Sequence, residues 1–160
     1  MSNAIIFPNF WNSIWGKKNC EIKCDAPNCS AMCIGINSTT QCNSPGCKAQ
    51  TIGELSTAEC NGEACYSHCT GTSCNTKCDG TSCQGACAGE SCKNECIGSK
   101  CKGLCLGANC VSSCTGDDCM ATCHGENCQV KCTGQRCKQS KPDITVANKL
   151  FSVFSKFTIS

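Results

Sequence analysis

The sequence predicts an all-β protein, a tight disulfide-laddered β-solenoid with nine-residue coils and short irregular or helical terminal segments. Three observations carry that expectation. Cysteine supplies 24 of the 160 residues, whereas Leu, Ile, Val and Phe together supply only 23. A chain this poor in large apolar side chains cannot fold around an ordinary core. From Cys60 onward the chain runs as nine consecutive units of the form C-x-G-x-x-C-x-x-x, from Cys60-NGEA-Cys65 to Cys132-TGQR-Cys137. Projected backwards, the same register reaches Trp15 as 14 units, and every cysteine falls at unit position one or six. A fixed short period is the mark of stacked, self-similar coils.

The solenoid is expected over residues 15–140 as 14 coils. An apolar cap or docking arm over 1–14 precedes it, and an apolar cap or docking tail over 141–160 follows. Nine extended residues reach at most about 30 Å, so one coil closes around little more than two facing side chains. Cysteines at positions one and six suit that geometry, because a disulfide brings two Cβ atoms to about 3.8 Å. Stacking at about 4.8 Å per coil gives a rod about 65 Å long. Glycine fills position three in 11 of the 14 units, from Gly35 to Gly134. A sharp turn there needs positive φ or close backbone approach. Pro27, Pro45 and Gly46 mark different turns in the N-terminal units.

Within-coil bridges are expected for Cys42–Cys47, Cys60–Cys65, Cys69–Cys74, Cys78–Cys83, Cys87–Cys92, Cys96–Cys101, Cys105–Cys110, Cys114–Cys119, Cys123–Cys128 and Cys132–Cys137. Two patterns compete for the other four cysteines. In one, Cys20 bridges Cys24 and Cys29 bridges Cys33, because Trp15 and Ser38 occupy the positions that would complete the coils of Cys20 and Cys33. All 24 cysteines then close into 12 bridges. In the other, Cys24 bridges Cys29, and Cys20 and Cys33 stay free or pair between molecules.

Metal and redox chemistry fit the spacing poorly. Thiolate metal sites and redox-active pairs draw on C-x-C or C-x-x-C, and neither motif occurs. No cofactor is expected. His68 and His124 stand at unit positions nine and two on outward columns. Asp117, Asp118 and Glu126 read as a solvated face rather than an acid/base pair, and no catalytic motif is present, so no enzyme is expected. A net charge of +2 with no long basic run gives no footprint for nucleic acid.

The unit Cys69-TGTS-Cys74 resembles the repeat of the midge antifreeze proteins, tight solenoids braced by an in-coil disulfide at the same C-x-G-x-x-C spacing. The resemblance covers the nine regular units and implies a disulfide-crossed coil. Those proteins use a ten-residue coil and carry a tyrosine row just before the second cysteine. Here that column reads Ala64, Ser73, Ser82, Ser91, Lys100, Asn109, Asp118, Asn127 and Arg136. The resemblance therefore implies the architecture and leaves ice binding as the alternative function.

Aromatic residues crowd the ends. Phe7, Phe10, Trp11 and Trp15 precede the regular repeats, and Phe151, Phe154 and Phe157 follow them, with Leu150 beside them. Ile144, Ala147, Leu150, Phe151, Phe154 and Phe157 recur at helical spacing after Pro142 and Asp143. Such segments suit capping or docking into neighbouring subunits of a shell or coat. Lys149 and Lys156 add a membrane surface as a weaker reading. Residues 1–15 show no basic region, continuous apolar stretch or cleavage site of an export signal. Disulfide-ready cysteines without that signal point to an oxidised assembly such as a virion. The expectation is a structural rod, a minor capsid or coat component acting as cement or spacer, with protein partners and no small-molecule substrate.

Overall fold

The computed structural model describes residues 19–141. It is an all-β solenoid, with no helix among the described residues. Fourteen strands follow one another: β1 (Glu21–Cys24), β2 (Ser30–Ile34), β3 (Thr39–Cys42), β4 (Lys48–Ile52), β5 (Thr57–Asn61), β6 (Tyr66–Thr70) and β7 (Asn75–Asp79). They continue as β8 (Gln84–Ala88), β9 (Lys93–Ile97), β10 (Lys102–Leu106), β11 (Val111–Thr115), β12 (Met120–His124), β13 (Gln129–Thr133) and β14 (Lys138–Ser140). Odd strands form one seven-stranded parallel sheet and even strands the other.

The coil length differs from the expected one. Each strand pairs with the strand two further on, as in Asn75↔Lys93 and Tyr66↔Gln84, so one revolution takes 18 residues. A nine-residue unit is half a coil, one strand plus one corner. Each corner reverses the chain, and two reversals are needed to return it above its starting point. The 14 units therefore make seven coils, a rod about 30 Å long at the usual strand spacing.

Within each strand two residues face inward. In β7 these are Thr76 and Cys78, with Asn75, Lys77 and Asp79 outward. The second inward column, unit position eight, holds small residues such as Ala31, Ala49, Ala58, Ser67 and Ala121, all fully buried. Two opposed sheets this close leave little room for Leu or Phe. Larger residues enter the same column as Ile22 in the first coil, Val130 near the last and Asn94 in the middle, where Asn94 is fully buried. It accepts a hydrogen bond from Thr76 Oγ1 at 2.6 Å and donates to Ser112 Oγ at 3.4 Å. The room comes from Gly85 and Gly103, where an added Cβ would collide with the Asn94 side chain.

The corners satisfy their backbone through the next coil. Gly71 N–H donates to Ala88 O at 2.9 Å and Ser73 N–H to Glu90 O at 2.8 Å, and the pattern recurs along the rod. Position-three glycines have φ from 127° to 153°, and a Cβ at Gly107 would overlap the carbonyl of Gly89 one coil below. Position five is left-handed in every described corner, with φ between 53° and 68°, yet only Gly46 there is glycine. Asparagine tolerates that conformation. Asn37 and Asn127 also donate to Asn19 and Asn109 one coil away, at 2.7 and 3.2 Å.

These corners set two expectations for thermal or denaturant unfolding of the oxidised protein. Gly107→Ala lowers stability by about 3 kcal/mol or more, through strain and backbone overlap. Leu55→Asn raises it by about 1 kcal/mol, because Leu55 holds φ 54° while 60% exposed and has little packing to lose.

Candidate functional site

Strand alternation and the corners place every described cysteine on one of two edges of the rod. Position one lies at or next to the end of a strand and position six immediately before the next strand, so the two sulfurs flank each corner. Corners leading from odd to even strands carry an unbroken column of fourteen: Cys24, Cys29, Cys42, Cys47, Cys60, Cys65, Cys78, Cys83, Cys96, Cys101, Cys114, Cys119, Cys132 and Cys137. The opposite edge carries Cys20 and Cys33, then Ser38, Thr51 and Ser56 in place of sulfur, then Cys69, Cys74, Cys87, Cys92, Cys105, Cys110, Cys123 and Cys128. All of these cysteines are buried except Cys20, Cys132 and Cys137, which are half-buried.

Five bridges are closed: Cys20–Cys33, Cys24–Cys29, Cys69–Cys74, Cys123–Cys128 and Cys132–Cys137, with Cα separations of 5.8 to 6.3 Å. Neither N-terminal pattern expected from the sequence survives intact. Cys20–Cys24 and Cys29–Cys33 fail because each would join sulfurs on opposite edges of an 18-residue coil. Cys24 does bridge Cys29, but Cys20 and Cys33 are bonded to each other. Residue 20 lies one coil below Ser38, on the same edge as Cys33.

The other fourteen cysteines are buried thiols in the same columns. Within a column a sulfur can neighbour its own corner partner, the sulfur thirteen residues away and the sulfur one coil away, as Cys47 Sγ lies 3.7 Å from Cys65 Sγ. Cys60 Sγ lies 3.3 Å from Cys47 Sγ, thirteen residues back. Pairing within corners uses every sulfur of the fourteen-membered column and of the eight from Cys69 to Cys128, so Cys20–Cys33 is the single bridge that spans thirteen residues. Twelve bridges then account for all 24 cysteines. A rod braced this way belongs to an oxidising environment.

Stacking also creates what C-x-x-C spacing would supply. Cys24, Cys29 and Cys42, and likewise Cys47, Cys60 and Cys65, hold three sulfurs within 4.8 Å of one another. Adjacent coils, not adjacent residues, assemble these groups, so no local motif announces them. They are the residues here that could hold a soft metal ion, which binds thiolate rather than thiol. Burial pushes the Cys47 thiol up to about 12 and raises that of Cys110. Bridging and metal binding draw on the same sulfurs, and Cys24–Cys29 is already closed.

The remaining candidates stay apart from the sulfur. His68 faces outward on β6, stacked on Tyr66 at 6.0 Å between ring centroids, and partial burial lowers its pKa. His124 is exposed on β12, Asp117 and Asp118 are exposed side by side in the corner after β11, and Glu126 is exposed in the corner after β12. Asp118 pairs with Arg136 one coil above, Nη2 to Oδ2 at 2.7 Å, and that guanidinium holds its carboxyl below the usual range. Trp15, Phe7, Phe10, Trp11, Leu150, Phe151, Phe154 and Phe157 lie outside the described residues. No family model, curated protein or solved structure matches the chain.

The gap at Ser38, Thr51 and Ser56 offers a direct check on the columns. Thr51 lies in register between Cys33 and Cys69 on neighbouring strands. Thr51→Cys combined with Ser56→Cys is expected to close one extra within-corner bridge and add about 2 kcal/mol of stability. Titration of free thiols and a melting curve on the purified variant measure both effects.

Proposed function

We propose that this chain is a structural protein, a rigid disulfide-stabilised rod acting as a minor capsid or coat component, cement or spacer, within a large assembly such as a virion. One observation carries the proposal: the two sheets present opposite kinds of surface. The outward positions of the odd sheet alternate charge, with Glu21, Glu59, Asp79 and Glu95 among Lys23, Lys77, Lys93 and Lys131. Those of the even sheet contain no acidic residue. Met32, Ile34, Ile52, Leu106 and Met120 are exposed on it, and Ile36 and Leu55 continue the apolar surface onto the adjoining corners. Of the seven large exposed hydrophobic residues of the described chain, five lie on the even sheet, two on corners and none on the odd sheet. A stiff, one-sided apolar surface suits burial against a neighbouring subunit, and the aromatic terminal segments add further docking material. No catalytic role is proposed.

Ice binding is the second reading, favoured by the flat parallel sheets. Its support is weaker because no outward column repeats one side chain. The row running Met32, Gln50, His68, Ala86, Leu104 and Thr122 has six different residues.

Ile34 and Ile52 are neighbours in register on the even sheet. Ile34→Glu with Ile52→Glu is expected to leave circular dichroism and melting unchanged and to abolish incorporation into purified particles. Undiminished incorporation removes the even sheet from the proposal. Arrest of ice growth by the unmodified monomer, measured as thermal hysteresis, replaces assembly with ice binding.

A further inference from the structure

The fourteen-membered column is more than a set of separate rungs. Sulfurs along it are spaced alternately five and thirteen residues apart; the spacing of five is closed in Cys24–Cys29 and Cys132–Cys137, and a spacing of thirteen is closed on the opposite edge in Cys20–Cys33. At one step the thirteen-residue neighbours are in sulfur contact, Cys47 Sγ lying 3.3 Å from Cys60 Sγ, while Cys42 and Cys96 direct Sγ at the carbonyls of Lys48 and Lys102 beside their own corner partners. Cys60, Cys78, Cys114 and Cys132 each direct Sγ at the carbonyl of Cys47, Cys65, Cys101 and Cys119, at 3.4, 3.8, 3.6 and 4.0 Å. Among the described residues the column is most accessible at one end, where Cys132 and Cys137 are half-buried, and its other twelve sulfurs are buried. The opposite edge has no such continuity, because Ser38, Thr51 and Ser56 interrupt it.

We propose that this column is a thiol–disulfide relay, in which opening the Cys132–Cys137 bridge at one end of the rod releases a thiol on Cys24 at the other. A dithiol reductant opens the first bridge, is itself oxidised to a disulfide, and leaves thiols on Cys132 and Cys137. Cys132 then gives up its proton and attacks Cys119 Sγ. The Cys119–Cys132 bond forms, the Cys114–Cys119 bond breaks, and Cys114 departs as thiolate and takes up a proton. The same exchange carries the thiol from Cys114 to Cys96, Cys78, Cys60, Cys42 and Cys24. Each internal step breaks one S–S bond and makes another, so no further electrons are needed. The end state has six bridges of the thirteen-residue kind, with thiols on Cys24 and Cys137. A reducing encounter at the C-terminal end of the rod is thereby reported at its N-terminal end without unfolding.

Cys137→Ser in the full oxidised chain leaves thirteen sulfurs in the column and one thiol to distribute. The monomer is incubated overnight at pH 8, quenched in acid, unfolded, labelled with N-ethylmaleimide and mapped by mass spectrometry. The relay predicts label shared among Cys132, Cys114, Cys96, Cys78, Cys60, Cys42 and Cys24, with none at position-six cysteines. Adding Cys78→Ser with Cys83→Ser, a break like the one on the opposite edge, is expected to remove label from Cys60, Cys42 and Cys24. Label confined to Cys132 overturns the relay, as does label on position-six cysteines or on the other edge. Unmodified protein treated with one equivalent of dithiothreitol gives an independent reading that needs no variant to fold. Label on Cys137 and Cys24 is expected, and label on Cys137 and Cys132 alone contradicts the proposal.

Discussion

The width of the coil governs everything else in this molecule. Two parallel sheets stand so close that the space between them admits one small side chain per strand at the centre and one sulfur pair at each edge. Cysteine suits the edge because a disulfide is short, apolar and covalent. Alanine, serine, glycine and threonine fill most of the centre because the space is narrow, and Asn94 enters where Gly85 and Gly103 leave room. The same closeness makes glycine necessary at position three from Gly53 onward, where the backbone of the coil below occupies the place of a Cβ. The low count of large hydrophobic residues is therefore a property of the architecture, and not a sign that the chain lacks a fold.

Much of this was legible in the sequence, and the part that was not has a single cause. A nine-residue period identifies the repeating unit, but a unit that makes one corner and a unit that makes a full coil leave the same pattern. Cysteine positions, the glycine at position three and the solenoid itself follow from the unit alone. Coil length, rod length and the partners of Cys20 and Cys33 depend on how many corners close a revolution, and backbone pairing at an offset of 18 decides that. The central column from Ala31 to Ala121 escaped notice because its residues vary among alanine, glycine, serine, threonine and asparagine. Their common property is small size. Left-handed backbone at position five was equally hidden, since Leu55, Lys100 and Arg136 do not advertise it.

A docking surface has to be sought on the outside, because the interior is filled by the sulfur columns and the small central residues. The charged odd sheet and the acid-free even sheet arise from the same backbone, and strand alternation keeps their side chains independent of the core. That separation lets the outer columns vary freely while the inner ones repeat, which is why the apolar surface around Ile34, Ile36, Ile52 and Leu55 can exist without disturbing the stack. The sulfur columns differ from each other as well. One is continuous, and the other is broken by Ser38, Thr51 and Ser56, so the two edges have unequal capacity for exchange.

The central claim is that the cysteines form two independent columns, each pairing only within itself. Mapping the disulfides of the native protein by proteolysis without reduction, at acid pH to suppress exchange, tests it most directly. The account predicts eleven bridges of the Cys60–Cys65 kind together with Cys20–Cys33. A bridge joining the two edges, such as Cys74–Cys83 or Cys29–Cys33, would contradict it.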